Sequence, residues 1–346
     1  MEAKNKKLFW ISIGLSLVVL IIVVILTFDE KTIEAFENLN PIYILFAFLI
    51  HLAALCLWGA RILVLCKSLG YKVPLRHCIN MAAAGQLLAS ITPSSIGGEP
   101  VRIHELYKAK LPIADATAVV VVERLLEGVL LVIGVIVGMT AFSLIYSNGE
   151  VPKELITAAW IGTAFFALLL LGIFLILRKP NTIKKIGLWI SKFFTKKMSE
   201  ERKEKINAAV IDGVDRFYGT FRHFAGKAKF GLIIAFILSF CFWGCEYAVA
   251  SIIMVGLGYP PNILLSVIFQ LIIAVILMIP LTPGSAGFAE ICYVGFYSLI
   301  IPTSVIGLFV VLQRMILYYS NIIIGSIASF IIVKREASNK KVITDE

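Results

Sequence analysis

Charge is scarce in this 346-residue chain: Asp, Glu, Lys and Arg together make 16% of it, against 59% hydrophobic residues. A soluble domain of that composition would carry more apolar surface than it could bury, so the class left standing is a polytopic membrane protein. Histidine is rarer still, with four residues, and the six cysteines (Cys56, Cys66, Cys78, Cys241, Cys245, Cys292) form no Cys-x-x-Cys pair. Cys241 and Cys245 share a helix face, yet no histidine lies near them; packing is expected there, and no metal or cofactor is called for. A cleavable leader is also missing. The apolar run from Leu8 to Phe28 is too long for one, and Thr27-Phe28-Asp29-Glu30 offers no small-x-small site, so the run should stay as an anchor.

Acid is the scarcer sign, and the formal net charge is +10. That surplus does not point to nucleic acid, because the positive residues lie between apolar segments in the pattern of cytoplasmic loops. Full-length apolar spans fall at about 8–28, 41–66, 113–146, 155–177, 230–256 and 303–333. The N-terminal lysines, the loop with Lys67, Lys72 and Arg76, the stretch 178–229 and the tail 334–346 are basic, whereas Asp29 to Glu37 and Ser147 to Glu154 are acid-biased. Both termini are therefore expected on the cytoplasmic side, with the chain in the plasma membrane.

Two segments do not fit that count. The run from 78 to 91 makes a helix of about 20 Å, short of a hydrocarbon core of about 30 Å. It stops at Thr92-Pro93, and the following Glu99 to Glu105 is too polar to face lipid. Residues 78–110 thus read as a re-entrant hairpin with its tip near 92–98. A second such hairpin is expected at 262–301, broken at Leu281 to Gly287.

These two hairpins belong to a repeat. Thr92-Pro93-Ser94-Ser95-Ile96-Gly97 is echoed by Thr282-Pro283-Gly284-Ser285-Ala286-Gly287, and in the same register Glu123-Arg124 lies over Gln313-Arg314. Leu69-Gly70-Tyr71 and Leu257-Gly258-Tyr259 match after the first span of each copy. Repeat 1 (41–146) and repeat 2 (230–333) are each span, hairpin, span, and the single span at 155–177 turns the second copy over. The expected fold is an all-α polytopic membrane protein with about six full spans and two re-entrant helical hairpins in an inverted-topology repeat, the pattern of many transporters.

A hairpin that halts inside the membrane starts its return helix there, with unpaired N–H groups and the positive end of the helix dipole. Gly97, Gly98 and Gly287 let a ligand approach the backbone, and Thr92, Ser95, Thr282 and Ser285 add hydroxyls. Arg124 and Arg314 fall about a third of the way into long helices entering from opposite sides. An arginine at that depth costs about 2.5–3.5 kcal/mol on insertion scales and demands a partner. Arg124 has Glu127 one turn on and Glu123 beside it, whereas Arg314 has Gln313 and no acid within a turn. Its partner is expected to be Glu290 or Glu246 from another helix, or a bound phosphate. These residues define a candidate phosphate-binding site, with Glu99, Glu123, Glu127, Glu246 and Glu290 as charge-balancing or coupling groups. The plainer alternative is that Arg61, Arg102, Arg124 and Arg314 only pair with those acids. His51 in mid-span reads as a hydrogen-bonded helix contact, and His77 and His223 as interfacial.

The connection 178–229 is basic but patterned. Ile183, Ile186, Trp189, Ile190 and Phe193 fall on one side of a helix whose other positions carry Lys184, Lys185, Lys192 and Lys196. Such a helix suits an interface with anionic headgroups, or serves as a brace between the halves.

Thr92-Pro93 leading to Gly97-Gly98-Glu99-Pro100, the later Glu123-Arg124, and Pro283 to Gly287 with Glu290 resemble the flippase-like, lysylphosphatidylglycerol synthetase transmembrane domain family over about 8–335. The resemblance implies movement of lipids with charged headgroups between leaflets. The partner implied is an anionic or phosphate-bearing membrane lipid (a phospholipid, an aminoacyl-phospholipid or a polyprenyl-phosphate type), with a separate lipid-modifying enzyme as a further candidate. The synthase domain fused in the best-known relatives is not seen before Glu346, so lysyltransferase activity is not expected. Ser285 stands where that family often has a second glycine. Two other readings stay open. One is a transporter of a small soluble anion. The other is a membrane-embedded lipid-modifying enzyme, for which Asp29-Glu30 is an acidic pair without a large external domain, and for which His77 and His104 lack company.

Overall fold

The computed structural model describes residues 30–90, 92, 97–145, 179–195, 198–277, 282 and 285–344, with isolated helical positions within 17–25 and 157–176. The expected spans at 8–28 and 155–177 lie mostly outside these, as do Pro93 to Ile96 and Pro283-Gly284 at the hairpin tips. Every described element is helical. In order they are α1 (Glu30–Glu37), α2 (Pro41–Ser68), α3 (Leu75–Ala89), α4 (Gly98–Lys108), α5 (Ile113–Ile145), α6 (Pro180–Thr195), α7 (Glu200–Ala225), α8 (Lys229–Gly256), α9 (Ile263–Leu277), α10 (Phe288–Tyr297), α11 (Thr303–Arg314), a π-helical turn (Met315–Tyr319) and α12 (Ser320–Thr344). Three described stretches, Pro41–Ser68, Lys229–Gly256 and Thr303–Arg335, are long and apolar enough to cross a bilayer. The chain is a helical membrane protein.

The segments that match in sequence form helices of equal length. α2 and α8 are both 28 residues long, and α3 and α9 are both 15. α2 and α8 end in the same cap: Gly70 and Gly258 adopt φ of 86° and 82°, a left-handed conformation that favours glycine. In both caps the N–H of the tyrosine after the glycine reaches five residues back, Tyr71 to Cys66 O at 3.0 Å and Tyr259 to Met254 O at 2.9 Å. No atom approaches a Cβ built on either glycine, so conformation and not space selects the residue.

Packing interleaves the halves. α2 and α8, the first long helix of each, share the most extensive helix contact in the molecule. α3 lies on α12 and α9 lies on α5, so the first hairpin helix of each half rests on the long helix of the other. Small residues make these crossings possible. A Cβ at Gly325 of α12 would sit 2.6 Å from the Ala83 carbonyl of α3, and one at Gly134 of α5 would sit 2.9 Å from the Leu271 side chain of α9. Two apolar cores result. One gathers Ile62, Leu65, Met81, Leu106 and Val119; the other gathers Ile253, Met254, Phe269, Tyr297 and Phe309.

The connection 178–229 is two helices packed on each other, α6 outside and α7 inside. α7 braces the first half: Asp115 at the start of α5 accepts from Arg216 Nε at 3.1 Å, Thr220 at 2.7 Å and Tyr71 at 2.6 Å. Burial and the Asp115 hydrogen bond push the Tyr71 phenol above its ordinary value. α6 keeps its apolar side outward, with Ile186 and Ile190 exposed and Trp189 at 73%. The bracing contacts thus belong to α7 and the outward apolar side to α6. Phe193's side chain and Lys196 lie outside the described set.

Candidate functional site

Each hairpin closes by a different device. In the first, α3 and α4 cross at Gly85 and Gly98, where a Cβ on Gly98 would lie 2.9 Å from the Gly85 carbonyl. Thr92 spends its hydroxyl on the turn: it donates to Leu88 O at 2.9 Å and accepts from the Gly97 N–H at 2.8 Å. A Cβ at Gly97 would meet that same threonine side chain at 2.6 Å. Gly97, Gly98 and Thr92 are therefore accounted for by turn closure; Ser95 lies outside the described residues. In the second hairpin Ser285 adopts φ 54° and Gly287 φ 81°, which explains why a glycine suits the serine's position. The Ser285 N–H donates to Thr282 O at 3.2 Å, while the buried Thr282 hydroxyl has no hydrogen-bond partner among the described residues.

Below the first hairpin lies a network of six charges from three helices. Arg61 of α2 is wholly buried and donates to Glu123 Oε1 at 3.1 Å, Glu127 Oε1 at 2.6 Å and Ser239 at 3.0 Å. Trp58 Nε1 donates to the same Glu123 oxygen at 3.0 Å. Arg102 of α4 reaches Glu123 Oε2 and Glu99 Oε1, both at 3.3 Å. Arg124 closes the ring, 2.6 Å from Glu99 and 2.6 Å from Glu127. Three arginines meet three glutamates, which is what makes burial of so many ions tolerable. Arg124 is the arginine at the edge, with 43% of its side chain exposed, and Glu99 beside it is 21% exposed.

The second half places its arginine differently. Arg314, at the end of α11, pairs with Glu290 of α10 at 3.0 Å and stacks on the Tyr318 ring at 4.0 Å. Of the two acids expected for it, Glu290 takes the role. Glu246 instead pairs with His51 at 2.8 Å, and the other nitrogen of His51 lies 3.2 Å from Asn321 Oδ1. Around Arg314 the polar groups are amides and phenols. Gln313 is fully buried with neither amide atom partnered among the described residues, and the Gln270 amide nitrogen is likewise without a partner. Tyr293 donates weakly to Gln270 Oε1 at 3.5 Å. At the basic end of α12, Arg335 pairs with Glu105 at 2.7 Å and contacts His77, which is buried at 8% exposure.

Sequence reasoning ranked Arg61 and Arg102 only as possible neutralising partners, although they anchor the network. It passed over Gln270, Tyr293 and Asn321. Each is a polar side chain inside an apolar run, a signal that was available.

The arrangement defines an integral membrane protein with an ion network and a second polar cluster buried among apolar helices. More narrowly, the chain belongs to the family described as Lysylphosphatidylglycerol synthase TM region, which it matches over residues 9–325. It is 30% identical to a UPF0104 membrane protein of Archaeoglobus fulgidus over 92% of this chain and 95% of the relative. It is 28% identical to a UPF0104 membrane protein of Methanocaldococcus jannaschii, over 90% of this chain and 91% of that one. A third such protein, from Methanothermobacter thermautotrophicus, is 27% identical over 91% and 92%. No solved structure matches the chain.

Proposed function

We propose that this protein is a lipid translocase that carries a phosphate-bearing headgroup between leaflets while the acyl or prenyl chains stay in the bilayer. In this reading the halves have inverted topology, the hairpins α3–α4 and α9–α10 are re-entrant from opposite sides, and both termini are cytoplasmic in the plasma membrane. Supporting it are the matched helix lengths and caps, the family membership, and hairpin helices of about 22 Å or less, too short to span.

The observation that carries the proposal is Arg124. It is half exposed at the rim of an otherwise buried, balanced ion network, held by Glu99 and Glu127 at 2.6 Å each. A headgroup phosphate arriving there exchanges with Glu99, the more exposed acid, and gains a bidentate guanidinium partner. Arg61 and Arg102 keep Glu123 and Glu127 in place throughout. Arg314 offers the matching guanidinium in the other half, and rocking of one half against the other hands the headgroup across. The protein acts as a carrier and not an enzyme, so a labelled lipid phosphate should be recovered chemically unchanged.

Native mass spectrometry of the purified protein tests this, wild type against Arg124→Ala/Arg314→Ala. A defined phosphate-bearing lipid retained by wild type and lost from the double variant is the expected result. Equal retention, with the variant merely less stable, would make both arginines structural and sink the mechanism. Displacement of the lipid by inorganic phosphate or a dicarboxylate would favour a carrier of small anions instead.

A further inference from the structure

His51, Glu246 and Asn321 come from three helices, α2, α8 and α12, and meet where the second half packs on the first. His51 is 3% exposed. Nδ1 faces Glu246 Oε1 at 2.8 Å and Nε2 faces Asn321 Oδ1 at 3.2 Å. The orientation of the Asn321 amide is fixed independently, because its Nδ2 donates to Leu317 O at 2.8 Å. A flipped amide would turn its oxygen onto that carbonyl. Both ring nitrogens therefore face oxygen acceptors.

A neutral imidazole carries a single N–H and can satisfy just one of them. If Glu246 is ionised and His51 neutral, the hydrogen goes to Nδ1 and the Nε2 lone pair is left against Asn321 Oδ1. Adding one proton removes the conflict. It sits on the ring, giving an imidazolium, or on Glu246 with the ring hydrogen moved to Nε2. In either form Nε2 carries hydrogen and the pair is neutral. The surrounding charge favours the same count. Apart from the ion pairs at helix ends, the paired charges of the described apolar helices are Arg61, Arg102, Arg124 and Arg314 against Glu99, Glu123, Glu127, Glu290 and Glu246, one acid more than the arginines. An uncompensated carboxylate in such surroundings is costly, and a bound proton supplies the missing charge.

We propose that His51, Glu246 and Asn321 form a proton-binding site in the membrane core, and that loading and unloading this proton drives the lipid movement. The second clause rests on the translocase reading; the first does not. The elements packed against α2 carry Glu246 and Tyr247 on α8, Glu123, Arg124 and Glu127 on α5, His77 and Arg76 on α3, and Tyr318 and Tyr319 on the π-helical turn. Among the described residues Glu246 is the ionisable group that reaches the ring, and Arg61 lies about 15 Å further along α2. Loss of the proton sets Nε2 and Asn321 Oδ1 in conflict, and the strain falls on the start of α12. Asn321 lies two residues beyond the π-helical turn Met315–Tyr319, a helical irregularity of the kind found at functional hinges. Arg314 lies just before that turn, so proton release and arginine position share one element.

The full-length protein labelled with 15N-histidine has four side chains to resolve, and His51→Gln assigns one of them. At pH 7, where a free imidazole is largely neutral, the expected His51 spectrum shows a protonated Nε2. Asn321→Asp, which keeps the acceptor, should preserve it, and Asn321→Leu should abolish it. A His51 protonated at Nδ1 alone overturns the proton site. In proteoliposomes with an imposed pH gradient, one proton per lipid gives about a tenfold leaflet ratio per pH unit, absent in His51→Gln. A ratio indifferent to the gradient, with Nε2 protonated, overturns the coupling alone. No lipid movement under any condition, with Nε2 protonated, overturns the translocase reading and leaves the proton site standing.

Discussion

The two halves share a frame and treat their buried polar groups in opposite ways. Arg124 and Arg314 hold equivalent positions, but their surroundings diverge at nearly every matched place. Glu123 corresponds to Gln313, Glu127 to Leu317, Arg102 to Cys292 and Glu99 to Ala289. Trp58, which steadies Glu123, corresponds to Glu246, which holds His51. The first half closes a six-membered ion network in which each charge has an opposite neighbour. Around its arginine the second has the Arg314–Glu290 pair and, among the described residues, amide atoms of Gln313 and Gln270 outside hydrogen-bond geometry. The two halves share the arginine, the caps and the Thr-Pro turn and differ in the neutralising set. A saturated network resists change, whereas an undersatisfied cluster has hydrogen-bonding capacity left over for a polar guest or water.

The largest effect should come from breaking the saturated side. Arg61→Met leaves Glu123 and Glu127 short of one of their shared cations in a fully buried site. Removing one partner of such a network costs about 3–5 kcal/mol, so this variant should lose most of its folded yield and melt far earlier in detergent. Thermal unfolding followed by fluorescence size exclusion measures it. An Arg61→Met protein as stable as wild type would mean the network is dispensable, and the contrast between the halves would collapse.

Next in size are the two interleaved crossings. Gly325→Ala drives a methyl to 2.6 Å from a backbone carbonyl, which cannot step aside, whereas Gly134→Ala meets the mobile end of Leu271. Overpacking of the first kind should cost about 1–3 kcal/mol, and of the second about 1 kcal/mol or less. The same melting assay compares them. Equal losses would show that the two crossings are equally tight and that the α3–α12 contact has no special rigidity.

What sequence could reach here follows from range. The helix breaks near Thr92 and Thr282 were visible because a short apolar run, a Thr-Pro pair and glycines lie within a few residues of one another. The caps at Gly70 and Gly258 were visible because the same three residues recur. By contrast, the partner of each charge was set by helices meeting late in the fold. Arg61 and Glu123 are 62 residues apart, and His51 and Asn321 are 270 apart. Local reasoning gave Arg124 its neighbour Glu127, one turn away, and left Arg314 with two candidates because neither is on its own helix. It also assigned Gly97 and Gly98 to ligand approach, since a backbone crossing such as Gly85 on Gly98 leaves no trace in the local pattern.

The smallest change in stability carries the sharpest test of the comparison. Gln313→Leu replaces a fully buried amide, neither atom of which meets hydrogen-bond geometry with a partner among the described residues, by an apolar side chain of similar size. An unsatisfied buried polar group costs about 1–3 kcal/mol, so the variant should melt at the same temperature or slightly higher. A protein retains such a cost where the group has work to do. Lipid retention should therefore fall in Gln313→Leu while its melting temperature holds, the reverse of the pattern expected for Arg61→Met. If Gln313→Leu melted early and kept its lipid, the amide would be a structural member like Glu123. The halves would then differ in composition but not in role.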